Sequence, residues 1–274
     1  MLSYKALYKR KCLEVIALKK RIEKLEQECK IKSVKSNTAK AGYCEEELAA
    51  ADFNSSRIRK MIAEYTGNKL TGIFHRVTGI NKTDITNSAG YNIQVKKYKT
   101  GQFGQVDRRW VSGLIESIPT LSPIAYLLNG LCESPLLPCG KMIDKTKTRK
   151  LLSTDNYSAT ELTYLIKVLN DNKKNILECI FLGNNPKYSP NILCGIEYID
   201  NKRNNMTLYR MTDVIEYLAK QDFKITKSRS VISLGDCLTI QRKGGDGGKK
   251  SANNIQFKLV FSRLKIISGI VILF

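Results

Sequence analysis

Residues 83–97 read TDITNSAGYNIQVKK, and the way this stretch is read decides the fold. Within YNIQVKKY, Tyr91–Tyr98, alternate side chains of an extended strand point to opposite faces. Ile93 and Val95 then share a face suited to packing on a helix, while Gln94 and Lys96 share the other. Asn87, Ser88, Ala89 and Gly90 read as a hairpin turn, which makes the short run around Asp84 the neighbouring strand. Asp84, Gln94 and Lys96 are therefore expected at one cleft. A carboxylate and an amide oxygen are hard donors of the kind Mg²⁺ takes, with waters and phosphate oxygens completing its shell. An ammonium beside them can hold an attacking water and steady charge on a phosphate.

Working outward, one helix is expected from Ala39 through KAGYCEEELAAADF and another through SSRIRKMIAEY. Strand-like runs follow in LTGIFHRV, KTDIT and YNIQVKKYK. VDRRWVSGLIESI, Val106–Ile118, then returns to helical spacing and stops at Pro119. The order through residues 39–118 is helix, strands, helix.

An aspartate, a gap and then (Asp/Glu)-x-Lys on a β-hairpin resembles the signature of the PD-(D/E)XK nucleases. These include many type II restriction endonucleases and the archaeal-type Holliday-junction resolvases. Here Asp84 matches the metal-binding aspartate and Gln94-Val95-Lys96 stands in place of (D/E)xK. Gly42 and Glu46 match the glycine and helix acid that many members carry upstream, with Glu45 and Glu47 as immediate neighbours. The resemblance spans residues 39–118 and implies an α/β (α+β) restriction-endonuclease-like αβββαβ core. It further implies phosphodiester hydrolysis by in-line attack of water, leaving 5′-phosphate and 3′-hydroxyl ends. Mg²⁺, with Mn²⁺ as an alternative, would be held by Asp84, Gln94 and Glu46, and Lys96 would serve catalysis beside it. Glutamine is a departure from the pattern, because it brings a neutral oxygen where a carboxylate would bring charge.

Charge points to the same class of partner. Lys and Arg number 46 against 25 Asp and Glu, a net +21 and a pI near 9.6. That excess, spread through structured segments rather than beside one lipid-binding helix, favours nucleic acid over an anionic membrane. Double-stranded DNA is the expected partner. Phosphate or base-edge contact is expected from Lys97, Lys99, Gln102, Arg108 and Arg109, with Gln105 between them. A second group lies in QRKGGDGGKKSANNIQFK, where glycines allow close backbone approach and Arg242, Lys243, Lys249 and Lys250 carry charge. Asn253, Asn254 and Gln256 there have amides that could read adenine. No GxxxxGK[ST] occurs in it, so a nucleotide-binding P-loop is not supported.

The rest of the chain sets bounds. Eight cysteines without a CxxC pair argue against a zinc ribbon, and one histidine, His75, against His-rich metal sites. With no secretory signal or membrane-length apolar run, the protein is expected inside the cell with reduced thiols. Val15, Leu18, Ile22, Leu25 and Cys29 give residues 1–35, within an N-terminal segment of 1–38, the rhythm of one charged helix that permits a homodimer. Residues 119–274 read as a mixed α/β region for target recognition. Within it, Ser158 and Glu161 form a capping box before a helix faced by Leu162, Leu165, Ile166 and Leu169. ILCGIEYID and MTLYRM pair around the turn NKRNN, TDVIEYLAKQ is helical, and VISLG, CLTIQRK and IQFKLVFSRL are strands. The tail IISGIVILF is expected to be a buried end strand. The functional expectation is a type II, sequence-specific endonuclease of the restriction-modification kind. The alternatives are a DNA-binding relic in which Gln94 marks lost metal binding, a junction-type nuclease, and an RNA nuclease.

Overall fold

The structure, a computed structural model, describes residues 38–67, 71–77, 82–99, 103–132, 142–143, 151–243, 251–252 and 254–274. The expected helix over 1–35, Gln102, and the Gly/Lys loop with Lys249, Lys250 and Asn253 lie outside them. The N-terminal helices are α1 (Thr38–Phe53) and α2 (Ser56–Thr66). Ser55 starts the second by accepting the Ile58 N–H, and Gly67 stops it in the left-handed region at φ 71°. Strands β1 (His75–Arg76), β2 (Ile85–Thr86) and β3 (Asn92–Lys99) follow. Asn87 builds the turn between the last two, its Oδ1 accepting the N–H groups of Ala89 at 3.1 Å and Tyr91 at 3.0 Å. Gly90 takes a φ of 81° there, which a side chain would strain.

After β3 the chain forms β4 (Phe103–Arg109), α3 (Val111–Ser117), α4 (Ala125–Cys132), β5 (Met142–Ile143), α5 (Ala159–Asp171) and α6 (Lys173–Leu182). It returns through β6 (Ile192–Ile199), β7 (Lys202–Arg210), α7 (Met211–Ala219), β8 (Phe223–Ile225), β9 (Ile232–Leu234) and β10 (Leu238–Arg242). It closes with β11 (Ser251–Ala252), β12 (Ile255–Val260) and β13 (Ile270–Leu273).

Two sheets carry the fold. The first has six strands in the order β1-β2-β3-β6-β7-β13, and the second five in the order β4-β12-β10-β9-β8. All pairs in the first are antiparallel except β3 with β6, which runs parallel in register Gln94↔Leu193 and Lys96↔Gly195. A parallel pair cannot be closed by a tight turn. The long connection, with β4 and the helices α3 to α6, packs on one face of the first sheet. Tyr98 and Leu193 join Val111, Leu114, Ile176 and Phe257 in that larger core. On the opposite face, Ile93 and Val95 pack with Ile192, Cys194 and Ile196 against Ala49, Phe53, Ile58 and Ile62 of the first two helices. The alternation expected of YNIQVKKY is thus observed, with Ile93 and Val95 toward the helices and Gln94, Lys96 and Tyr98 on the other side.

Several local expectations are corrected. Phe103–Arg109 is strand, with Ile255↔Arg109 and Gln256↔Arg108 in register, so the helix begins at Val111 rather than Val106. Pairing across the second sheet overrides the helical spacing of VDRRW. The NKRNN turn is tighter than expected. Asp200 and Asn201 make it at positive φ, and Lys202–Asn205 already pair in the strand. The tail is not wholly buried. β13 is an edge strand that buries Ile272 and exposes Val271 and Leu273, and Phe274 after it is exposed as well. The capping box is present as expected, with Val168 joining Leu165 and Leu169 as buried residues of the α5 face.

Among the described residues no helix is long and apolar enough to cross a membrane. The described cysteines Cys44, Cys132, Cys179, Cys194 and Cys237 are free and buried.

Candidate active site

Asp84 sits one residue before β2, and its main-chain N–H still binds the Ile93 carbonyl at 2.9 Å. Its side chain turns toward β3. Oδ2 accepts the Val95 N–H at 2.7 Å and lies 3.3 Å from Lys96 Nζ. Both partners are partly exposed, Asp84 at 17% and Lys96 at 21% of their side-chain surface. A carboxylate gripped by a backbone donor keeps its orientation before any ligand arrives.

Three consecutive glutamates on α1 go to three different places. Glu45 turns inward and is 4% exposed, paired with Arg203 Nε at 3.0 Å and hydrogen-bonded by the Tyr198 hydroxyl. Glu47 faces solvent, with its Oε1 3.7 Å from Arg76 Nη1. Glu46 lies between them in orientation, 17% exposed, with Arg76 Nε at 4.0 Å. Its carboxyl is pushed up to about 7, first by burial and then by the charge of Asp84, against the lowering fields of Lys96 and Arg76. Glu46 therefore feels both Asp84 and Lys96. The neighbouring Arg203 also ties Asp52 Oδ2 at 2.7 Å, so two turns of the helix are fixed in rotation by one buried guanidinium.

Gln94 is 2% exposed, two residues before Lys96 on the same strand face, and its Oε1 has no hydrogen-bond partner. A buried amide oxygen left without a donor is uncommon and costs free energy unless something else satisfies it. Two carboxylates that feel each other's charge and an orphaned amide oxygen are hard donors of the kind a divalent cation takes. Among the described residues no group of three or more His, Cys, Asp or Glu side chains could hold a metal ion. Asp84 and Glu46 are two such side chains, and Gln94 is an amide.

Behind this cleft lies a network that the sequence did not reveal. Lys82 Nζ meets Asp107 Oδ1 at 2.5 Å and donates to the Val106 carbonyl at 3.4 Å. Arg109 Nε donates to Asp107 Oδ2 at 2.6 Å. Burial pushes the Lys82 ammonium below its ordinary value, with Asp107 opposing and Lys96 adding to the shift. Asp107 thus joins the approach to β2 to the first strand of the second sheet. Asp107 followed by Arg109 at alternate positions is a weak cue, and nothing local marks Lys82 as their partner.

The expected DNA-contacting residues fare differently. Lys97 is exposed and places Nζ 3.6 Å from the centre of the Tyr198 ring, on the α1 and α2 face of the sheet and opposite to Lys96. Lys99 is exposed and donates to Asn201 Oδ1 at 3.0 Å. Arg108 is exposed on β4 and Lys243 is half-buried at the end of β10. Arg109 is engaged inside the fold with Asp107, with Ser117 Oγ at 3.2 Å and with Cys179 Sγ at 3.1 Å. Arg242 and Asn254 are each 8% exposed, and Gln256 is 7% exposed and bonded to Gln105. Arg242 and Gln256 are held within the second sheet, and Asn254 lies just before β12, its carbonyl accepting the Lys243 N–H at 2.9 Å. His75 is exposed, its Nδ1 3.4 Å from the Ile73 carbonyl.

Comparison with known proteins bears on the whole arrangement. No curated protein matches the chain. Among solved structures, the crystal structure of restriction endonuclease MspI in complex with its cognate DNA is similar at a TM-score of 0.52 and 14% identity. The match covers 86% of this chain and 97% of that one, a likeness that shows the fold. The model of the R.HinP1I restriction endonuclease family matches residues 80–264. That span takes in Asp84, Gln94 and Lys96 and every strand of the two main sheets except β1 and β13, and by it this chain belongs to the R.HinP1I restriction endonuclease family.

Proposed function

We propose that this protein is a Mg²⁺-dependent, sequence-specific endonuclease that hydrolyses phosphodiester bonds of double-stranded DNA. One observation carries the reading. In a chain of a restriction endonuclease family, Asp84 Oδ2 and Lys96 Nζ stand 3.3 Å apart, and the Glu46 carboxyl lies within reach of both charges. The similar solved structure is described with its cognate DNA, and double-stranded DNA is the substrate proposed here.

Asp84, Glu46 and the Gln94 amide oxygen would hold the cation. Bound there, a divalent ion supplies positive charge to a phosphate and makes a water more acidic. The chain's own groups do the rest. The Val95 N–H fixes Asp84 Oδ2, so the acceptor is aimed before substrate binds. Lys96 is placed to donate to a phosphate oxygen or to the attacking water, where its charge counts for more as substrate excludes solvent. Glu46, pushed up to about 7 in the metal-free protein, would give up its proton as the cation binds.

The test incubates purified protein at low salt with supercoiled and linear duplex DNA, in Mg²⁺, Mn²⁺ or EDTA. Metal-dependent cleavage that falls roughly a hundredfold or more in Asp84→Ala and Lys96→Ala supports the proposal. Tight, salt-sensitive binding without cleavage of any substrate overturns it in favour of a DNA-binding relic. Parallel arms with RNA and branched DNA separate the other nuclease readings.

A further inference from the structure

Three arginines lie near the acidic groups around α1 and the cleft, and they are held very differently. Arg203 is 6% exposed and closes on two carboxylates at 3.0 and 2.7 Å. Arg109 is 19% exposed and bonded to Asp107, Ser117 and Cys179. Both are occupied with the fold. Arg76 is 26% exposed, and its contacts to Glu46 at 4.0 Å and Glu47 at 3.7 Å are longer than hydrogen bonds. Its guanidinium instead rests 4.7 Å from the centre of the Tyr43 ring.

Its backbone position is equally specific. Arg76 pairs with Ile85, the residue after Asp84, and the next N–H, that of Val77, binds the Asp84 carbonyl at 2.9 Å. Arg76 therefore shares the face of Ile85, toward α1, where its guanidinium lies within 4.0 Å of Glu46 and Glu47. We propose that Arg76 binds a phosphate oxygen of the DNA strand entering the cleft of Glu46, Asp84 and Lys96, an assignment that rests on the nuclease reading above. Two carboxylates at the mouth of a cleft repel a phosphate, and a nearby cation offsets that repulsion. A planar guanidinium suits phosphate geometry, and stacking on Tyr43 orients it in advance. Loose ion pairs to Glu46 and Glu47 can be exchanged for a phosphate at little cost, whereas those of Arg203 cannot.

The assay is fluorescence anisotropy of a labelled duplex in EDTA across a salt series, so it does not depend on cleavage. Arg76→Gln and Arg76→Ala are compared with wild type and with Lys167→Ala, an exposed lysine paired with Asp171 on α5. Each Arg76 variant should bind roughly tenfold more weakly and reduce the slope of log affinity against log salt by about 0.9. Lys167→Ala should change neither. Two variants are used because the glutamine keeps a stem on Tyr43 if alanine perturbs the fold. Wild-type cleavage with an unchanged salt slope in a folded Arg76 variant overturns the Arg76 assignment alone. A wild-type protein that does not bind the duplex overturns the nuclease reading and Arg76 with it.

Discussion

Lys96 Nζ lies 3.3 Å from Asp84 Oδ2, the same oxygen that accepts the Val95 N–H at 2.7 Å. One atom thus serves both the strand's architecture and the proposed chemistry. Substitution can separate the two roles. In Asp84→Asn an oxygen remains to accept the Val95 N–H, so stability should fall by only about 1 kcal/mol. Cleavage in Mg²⁺ should fall at least roughly a hundredfold, since the charge is gone. Urea unfolding beside a plasmid cleavage assay checks the pair of outcomes.

Glu46 makes the metal-free protein sensitive to pH. Its folded pKa of about 7 is above its ordinary value of 4.5, so the folded state holds that proton more tightly than the unfolded chain does. The resulting contribution is complete below pH 4.5 and is lost as pH rises through about 7. Glu46→Gln should match wild type at the acid end and exceed it above neutrality by about 1 kcal/mol, after allowance for solvent screening. Thermal melts in EDTA across that range should show a gain of roughly 2–4 °C at the alkaline end. A cation needs the ionised carboxylate, so Mg²⁺ affinity should rise through the same window, which calorimetric titration reads.

Gln94→Glu installs the acid of the (D/E)xK pattern that the hairpin resembles. Placed at a position 2% exposed, its charge should destabilise the metal-free protein by roughly 2–4 kcal/mol. Millimolar Mg²⁺ should recover much of that loss and stabilise the variant more than it does wild type. Paired melts with and without metal measure the difference, and an equal response in both proteins would argue against Gln94 as a ligand.

Asp107 binds two cations, at 2.5 and 2.6 Å, from a position 8% exposed. Asp107→Ala leaves Lys82 and Arg109 facing each other without a counter-charge and should cost about 3–5 kcal/mol. Chemical denaturation will read the loss. Asp107→Ala with Lys82→Met should recover part of it, because one of the stranded charges is removed as well.

The site's hairpin was readable because every cue in it is local. Two-residue alternation set the faces of Ile93, Gln94, Val95 and Lys96, and the turn residues set the register that returns Asp84 to them. The three glutamates of α1 were harder, since the rotation that sends Glu45 inward and Glu46 to the cleft is fixed by Arg203, far along the chain. Phe103–Arg109 misled for the same reason. Its strand exists because β12 pairs with it, and VDRR alone carries helical spacing. Arg109, Arg242 and Asn254 were expected at a surface on residue type, yet strand pairing and the Asp107 contact hold them inside the fold. Charge in a sequence shows that a partner is wanted without showing which cations are already taken.

The parallel pairing of β3 with β6 has a consequence for how the protein is made. The Asn92 N–H is held by the side chain of Asn191, 99 positions later, so the proposed cutting strand gains its inner neighbour only after most of the chain has left the ribosome. Such distant closure is slow to form. A prematurely terminated product ending before residue 192 would keep Asp84, Gln94 and Lys96 but lack the neighbour that seats them. Truncated translation products should therefore be harmless to the DNA of the cell that makes them.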